Sequence, residues 1–245
     1  MRTSSPAASS SFPLRPGLAV ALTSLLAGCL LAGCSAAGPS AATASLPSAT
    51  PTATPLSGPQ LTRILLPAGS MPKGYKVGSA TRNTGSQLPS DTAQPMPASQ
   101  VCPAFTQTSF IRAAGISTGD WAEGDYISPD QSQEVFEEID VFTGADAQKA
   151  MAKLWQELGK CSSFSYASNG TTASSKLTRS RVPGEGSDAI KAVIVSPVFE
   201  GGETLVAIRM GSQVITTLDS ATSQDLGSPA VGYAERIAQR LRAAG

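Results

Sequence analysis

Four cysteines, a run of acids and several serines are the residues of this chain best placed to do chemistry, and histidine is absent altogether. Cys34 follows Leu31-Ala32-Gly33 at the end of an apolar run. The small residues suit the narrow cleft of a signal peptidase, and the thiol behind them is the nucleophile that takes a diacylglyceryl group as a thioether. The stretch therefore reads as a bacterial lipobox, with Cys34 the lipid-carrying first residue of the mature chain. Leu26-Ala27-Gly28-Cys29 has the same form and is the alternative site. Cysteine arithmetic favours Cys34, because cleavage there removes Cys29 and leaves Cys102 and Cys161 to pair. Cleavage at Cys29 would strand Cys34 as an odd thiol in an oxidising space.

The missing histidine decides several other patterns. Gly115-Ile116-Ser117-Thr118-Gly119 fits G-x-S-x-G, but a nucleophile elbow needs a strand before it, a helix after it and a histidine base. Ser70-Met71-Pro72-Lys73 fits S-x-x-K without the companion motifs, and Pro72 opposes the helical turn that would join serine to lysine. Glu134, Glu137, Glu138 and Asp140 form the densest acidic group. A glycosidase needs two carboxylates facing one cleft with separated pKa values. On a strand, Glu138 and Asp140 share one face, while Val135, Ile139 and Val141 share the other with Glu137. The expectation is a solvated strand face with one edge carboxylate. Metal ligation by these oxygens would lack the D-x-D-x-D-G loop, so no catalytic, metal or cofactor site is assigned. Asn169-Gly170-Thr171 is formally a glycosylation sequon but reads better as a turn. Trp121, Tyr126, Tyr75 and Trp155 could line an apolar pocket, with Trp155 better explained by core packing.

The elements that must carry these residues follow from periodicity. In residues 145–158, Ala147, Ala150, Met151, Leu154, Trp155 and Leu158 recur at the spacing of one buried helical stripe. Ala230, Ala234, Ile237, Ala238 and Leu241 repeat it near the C-terminus, with Arg236, Arg240 and Arg242 outside, where they suit the negative end of the helix dipole. A short helix is expected over 60–66, ending at Pro67, and another over about 98–113. Gly211-Ser212, Asn169-Gly170, Gly201-Gly202 and Ser128-Pro129-Asp130 mark turns between strand patterns. Hairpins in series predict an α+β domain: a twisted antiparallel sheet with the two main amphipathic helices packed on one face. Export makes a Cys102–Cys161 disulfide the expected pairing, two reduced core thiols being the alternative; closing a loop of about 60 residues is worth roughly 4 kcal/mol in the chain-entropy model.

Composition sets the organisation. Arg2 and Arg15 precede the apolar run at residues 17–31, as a signal peptide requires. That run is shorter than the ~20 residues of a spanning helix. Residues 1–33 are thus the signal peptide. Residues 34–57, almost all Ser, Ala, Thr, Pro and Gly beyond Cys34, form a flexible tether open to O-glycosylation. Residues 58–245 form one domain. Cleavage removes two arginines and no acids, so 18 basic and 18 acidic residues become 16 and 18. That balance excludes a nucleic-acid partner and leaves no polybasic patch beside the anchor.

The order of features resembles the extracellular sensor-domain family found on actinobacterial Ser/Thr kinases and on free-standing lipoproteins. Residues 61–66 and Met71-Pro72-Lys73-Gly74-Tyr75 carry the likeness first. Cys102, Val141-Phe142 leading into the 145–158 helix, and Cys161 come next, then Gly186-Ser187-Asp188-Ala189 and the hairpin over 206–215. The resemblance implies an antiparallel sheet packed on helices with a cleft for an extracellular ligand. Kinase-borne relatives tend to carry a second disulfide, which this chain lacks. The expected role is a non-enzymatic, membrane-tethered lipoprotein binding a small envelope ligand or an envelope protein. The alternatives are a lipid or glycolipid carrier, which needs a large dry cavity, and a hydrolase acting through Glu138 and Asp140.

Overall fold

The fold begins at Ser57, whose backbone N–H donates to Gln60 Oε1 at 2.8 Å in a capping box that starts helix α1 (Gly58–Ile64). The computed structural model describes residues 55–78, 83–86, 96–106, 110–116, 118–168, 170–184, 188–197, 202–220 and 228–244. Cys29, Cys34, the signal segment, the tether up to residue 54, Ser117, Asn169, Gly186, Ser187 and Gly201 lie outside them. Helix α1 stops before Pro67, and Arg240 closes its end by donating to the Ile64 carbonyl at 2.6 Å and the Arg63 carbonyl at 2.5 Å.

Nine strands among the described residues form one antiparallel sheet. They are β1 (Lys76–Val77), β2 (Asn83–Ser86), β3 (Asp120–Ile127), β4 (Glu134–Val141), β5 (Ser163–Ser168), β6 (Thr171–Arg181), β7 (Asp188–Val195), β8 (Glu203–Met210) and β9 (Gln213–Ser220). The order is β1-β3-β4-β9-β8-β7-β6-β5, with β2 also on β3. Helices α2 (Ala98–Ala104), α3 (Asp146–Lys160) and α4 (Ser228–Ala244) complete the α+β class. The Gly211-Ser212 turn joins β8 to β9 with Gly211 at φ 61°, the positive φ that a type II′ turn demands of its first central residue. The expected helix over 98–113 is instead α2 followed by a 3-10 turn (Phe110–Ala114). Pro103, which has no N–H to give, sits in the last turn of α2.

The two main helices lie on opposite faces of the sheet, which corrects the one-face expectation. Ala147, Ala150, Met151, Leu154 and Leu158 of α3 pack with Phe136, Leu205, Ala207, Val214 and Leu218. Ala230, Ala234, Ile237, Ala238 and Leu241 of α4 pack with α1 and with Val135, Ile139, Val206, Ile208 and Ile215. Alternate strand residues thus serve different layers. The sequence signal was Leu205-Val206-Ala207-Ile208, an unbroken apolar run, all 0% exposed, of the kind found where both faces are covered. Cys102 and Cys161 lie at disulfide distance, with Cα atoms 5.4 Å apart, tying α2 to the end of α3 as expected.

Candidate functional site

Strand register places the acids. On β4, Val135, Ile139 and Val141 join the α4 layer and Phe136 the α3 layer, so Glu138 and Asp140 face α3's side and Glu137 faces α4's. Neither face is solvated, contrary to expectation. Glu137 is 0%, Glu138 3% and Asp140 1% exposed, because β4 is an interior strand covered above and below.

Glu137 is a structural group. Its Oε2 accepts from the Leu66 N–H at 3.2 Å, and the Tyr126 hydroxyl stands 2.8 Å from its Oε1 and beside the Leu66 carbonyl. These bonds fasten the segment after α1 to the sheet. Thr217, on the same face, donates to the Ala230 carbonyl at 2.9 Å.

The α3 side differs over β3, β4 and β9. Trp121 pairs with Asp140, and Asp140 with Val214; Glu123 pairs with Glu138, and Glu138 with Thr216. These six residues make two adjacent rows of one sheet face, with side chains some 5 Å from their cross-strand neighbours. Two glutamates directly opposite one another repel, and that arrangement is normally avoided. Beyond them, Asp125 pairs with Phe136, and Glu134 and Glu203 both pair with Ser220. Among the described residues, strand side chains with a buried oxygen that has no hydrogen-bond partner include Asp125 Oδ1, Asp140 Oδ2, Ser175 Oγ, Glu203 Oε2 and Thr216 Oγ1. By the alternation set by Phe136, Leu177, Leu205 and Leu218, all five lie on the α3 side. An unsatisfied buried polar group costs about 1–3 kcal/mol, so the concentration on one face calls for an explanation.

The electrostatics follow from that crowding. Burial pushes Asp140 up to about 7; Arg112 on the 3-10 turn and hydrogen bonding from Glu138 and Thr118 pull the other way, and Glu123 raises it further. Burial, with Glu134 adding, raises Glu203 to about 8. Asp125 is raised by burial and by Glu123, and Glu134 by burial and by Asp125. Arg112 is exposed and forms no ion pair with Asp140 among the described residues. Glu138 and Asp140 touch one another, which leaves no room for the water or sugar that glycosidase carboxylates flank at 5 Å or more, as a rough guide. No group of three acids converges closely enough to hold a metal ion among the described residues.

The remaining candidates scatter. Trp121 is half-buried beside Asp140. Tyr126 is on the opposite face, and Tyr75 bonds Gln133 near the β3–β4 turn. Trp155 is covered by the guanidinium groups of Arg179 at 3.9 Å and Arg181 at 4.2 Å, a clamp between α3 and β6. Ser70 ends a 3-10 turn and Met71 is extended, so Ser70 and Lys73 share no helical turn. A groove of about 430 Å³ beside the Cys102–Cys161 pair is rimmed by Lys153, Glu157 and Lys160, and one of about 390 Å³ lies between α1 and α4. No sequence motif marks Arg112, Glu123 or Thr216, and Thr118 enters only through the Gly115–Gly119 pattern. The alternation Trp121, Glu123, Asp125 along β3 was the available sign of a polar face.

No family model matches the chain, and no curated protein does. No described helix is long and apolar enough to cross a membrane. Among solved structures, the extracellular domain of PknH from Mycobacterium tuberculosis has a similar fold, with a TM-score of 0.54 and 13% identity over 78% of this chain and 98% of that one. The chain thus has the fold of a kinase extracellular domain, the architecture that its motif order resembles.

Proposed function

We propose that this chain is an extracytoplasmic lipoprotein whose folded part is a non-catalytic, sensor-like binding domain. In this reading Cys34 (or Cys29) carries the lipid, residues 34–57 are the tether, and residues 58–245 present the binding site in the cell envelope. The reading rests above all on the uncompensated polar groups gathered on one sheet face of a domain whose fold spans 98% of a kinase extracellular domain. Supporting it are the lipobox and the cysteine pair suited to an oxidising compartment. Residues as large as Phe105, Phe110, Phe142 and Met151 are fully buried and fill the α3 layer, which argues against a lipid carrier's dry cavity.

Two measurements test it. Metabolic labelling with a palmitate analogue should mark the wild type and be lost, together with membrane partitioning, in a Cys34→Ala, Cys29→Ala double variant. Native mass spectrometry of protein taken from its own envelope should find a retained small molecule. Labelling that survives the double change removes the anchor, and an envelope preparation with neither ligand nor protein partner removes the binding role.

A further inference from the structure

We propose that the flank formed by α1 and α4 is a docking surface for a bilayer rich in anionic phospholipid headgroups, through Arg63, Arg236 and Arg240. This rests on the lipoprotein reading above and adds the face with which the tethered domain meets its membrane.

No basic run lies beside Cys34 in the sequence, but folding assembles a cationic surface from distant parts of the chain. Arg63 stands in the last turn of α1, and Arg240 of α4 donates to its carbonyl at 2.5 Å across 177 positions. Arg236 and Arg240 are one helical turn apart, which sets them on the same flank of α4. All three are exposed, and none is ion-paired with an acid among the described residues. Arg236 is steadied instead by the Tyr233 ring, 4.9 Å away. Neither α1 nor the 3-10 turn over Ala68–Ser70 contains an acid. The single acid of α4 is Glu235, which a step of about 100° per residue places on the far flank with Arg242. Arg242 accordingly reaches Met210 of β8, while Arg240 reaches α1. In a mature chain of 16 basic and 18 acidic residues, an acid-free flank with three arginines is a local excess of one sign.

Two features select a bilayer as the occupant. A recess of about 390 Å³ opens between the helices, floored by Leu56, Ile64, Ala243 and Ala244, with Arg63 and Arg240 on its rim. Guanidinium groups around an apolar recess match the layering of a phospholipid leaflet, with phosphates outermost and glycerol and the first methylenes beneath. Leu56 also marks the point where the tether joins the domain. A Ser/Ala/Pro-rich tether over residues 35–55 reaches roughly 25 Å, so the lipid keeps this flank within range of the bilayer. Each arginine near an anionic leaflet favours docking about fivefold, and the tether makes the encounter intramolecular. Docking by α1 and α4 leaves α3, on the opposite face of the sheet, turned away from the membrane.

The test uses the mature, lipidated protein in nanodiscs of phosphatidylcholine alone and of an equal mixture with phosphatidylglycerol. Phenylglyoxal modification, read by peptide mass spectrometry, reports the accessibility of each guanidinium. Arg63 and Arg236 should react at least fivefold more slowly in the mixed discs, and high salt should abolish the difference. Arg181, exposed on β6, should react alike in both. Arg63→Glu should leave less than twofold protection of Arg236. Lys149→Glu, the same charge change on exposed α3, should leave that protection as in the wild type. Far-ultraviolet circular dichroism should stay unchanged in both variants, and Arg236→Glu read at Arg63 repeats the test if Arg63→Glu perturbs the fold. Equal reactivity in the two discs, protection by soluble polyphosphate as strong as by the bilayer, or full protection of Arg236 in Arg63→Glu would overturn the assignment. Failure to stay on phosphatidylcholine discs removes the lipid anchor instead. The flank is then read with phosphatidylglycerol vesicles in excess, where the same protection upholds it and none overturns it.

Discussion

Thr216 and Thr217 are neighbours on β9, both 0% exposed, and differ only in the face they serve. Thr217 looks toward α4 and donates to the Ala230 carbonyl; Thr216 looks to the other side and has nothing to bond. The same division runs through the sheet. On the α4 side, Glu137, Tyr126 and Thr217 are each tied to backbone or to one another. On the α3 side, Asp125, Asp140, Glu203 and Thr216 each bury an oxygen that has no hydrogen-bond partner. A buried hydrogen bond made contributes about 1 kcal/mol, while one left unmade costs more than that. One face is therefore built for stability, and the other gives some of it up, as proteins do where a site must meet something else.

The largest effect that would test this division comes from the tie on the α3 side. Cys102→Ser with Cys161→Ser should lower the unfolding free energy by about 4 kcal/mol in urea titrations. Amide exchange should quicken first in α2 and α3, and equal loosening of α4 would break the contrast between faces. Next, Glu137→Ala should cost about 3 kcal/mol, because it orphans the Leu66 N–H and loosens Tyr126. A loss below about 1 kcal/mol would mean that the α4 side is no better satisfied than the other.

Asp140 should behave in the opposite way. Its folded pKa lies above its ordinary value, so the folded state holds the proton more tightly than the unfolded chain does. Its contribution to stability is then greatest below about pH 4 and falls as pH rises toward 7, where the unfolded chain has long since ionised. Glu203 extends the decline to about pH 8. Asp140→Asn should flatten this slope and raise stability at pH 8 by roughly 2–3 kcal/mol, with little change at pH 4.5. Urea midpoints at three pH values measure it, and an unaltered slope would contradict the assignment. The smallest contrast is the most direct: Thr217→Val should cost about 1 kcal/mol, and Thr216→Val should be neutral or slightly stabilising.

Much of the architecture was legible in the chain. The helical stripes of α3 and α4 are the buried residues that their spacing predicts, and the cysteine pair joins the expected elements. The sides on which the helices pack were not legible, since amphipathic periodicity says which face of a helix is buried and nothing about which face of a sheet buries it. The acids were misjudged for a related reason. Alternation on β4 correctly separated Glu137 from Glu138 and Asp140, but polarity was equated with solvent. Only the pairing of β4 with β9, 86 positions apart for Glu134 and Ser220, reveals that this strand is interior. The polar rows themselves need three strands brought together, and Thr216 carries no mark of its place in any local window.

Arg240 has a mechanical consequence. It belongs to the last helix and grips the final carbonyls of the first. Helix α1 is thus held from two sides, by the C-terminal helix through Arg240 and by the sheet through the Glu137 and Tyr126 bonds to Leu66. A pull on α1 is therefore divided between the C-terminal helix and the middle of the sheet, so displacing it loosens both.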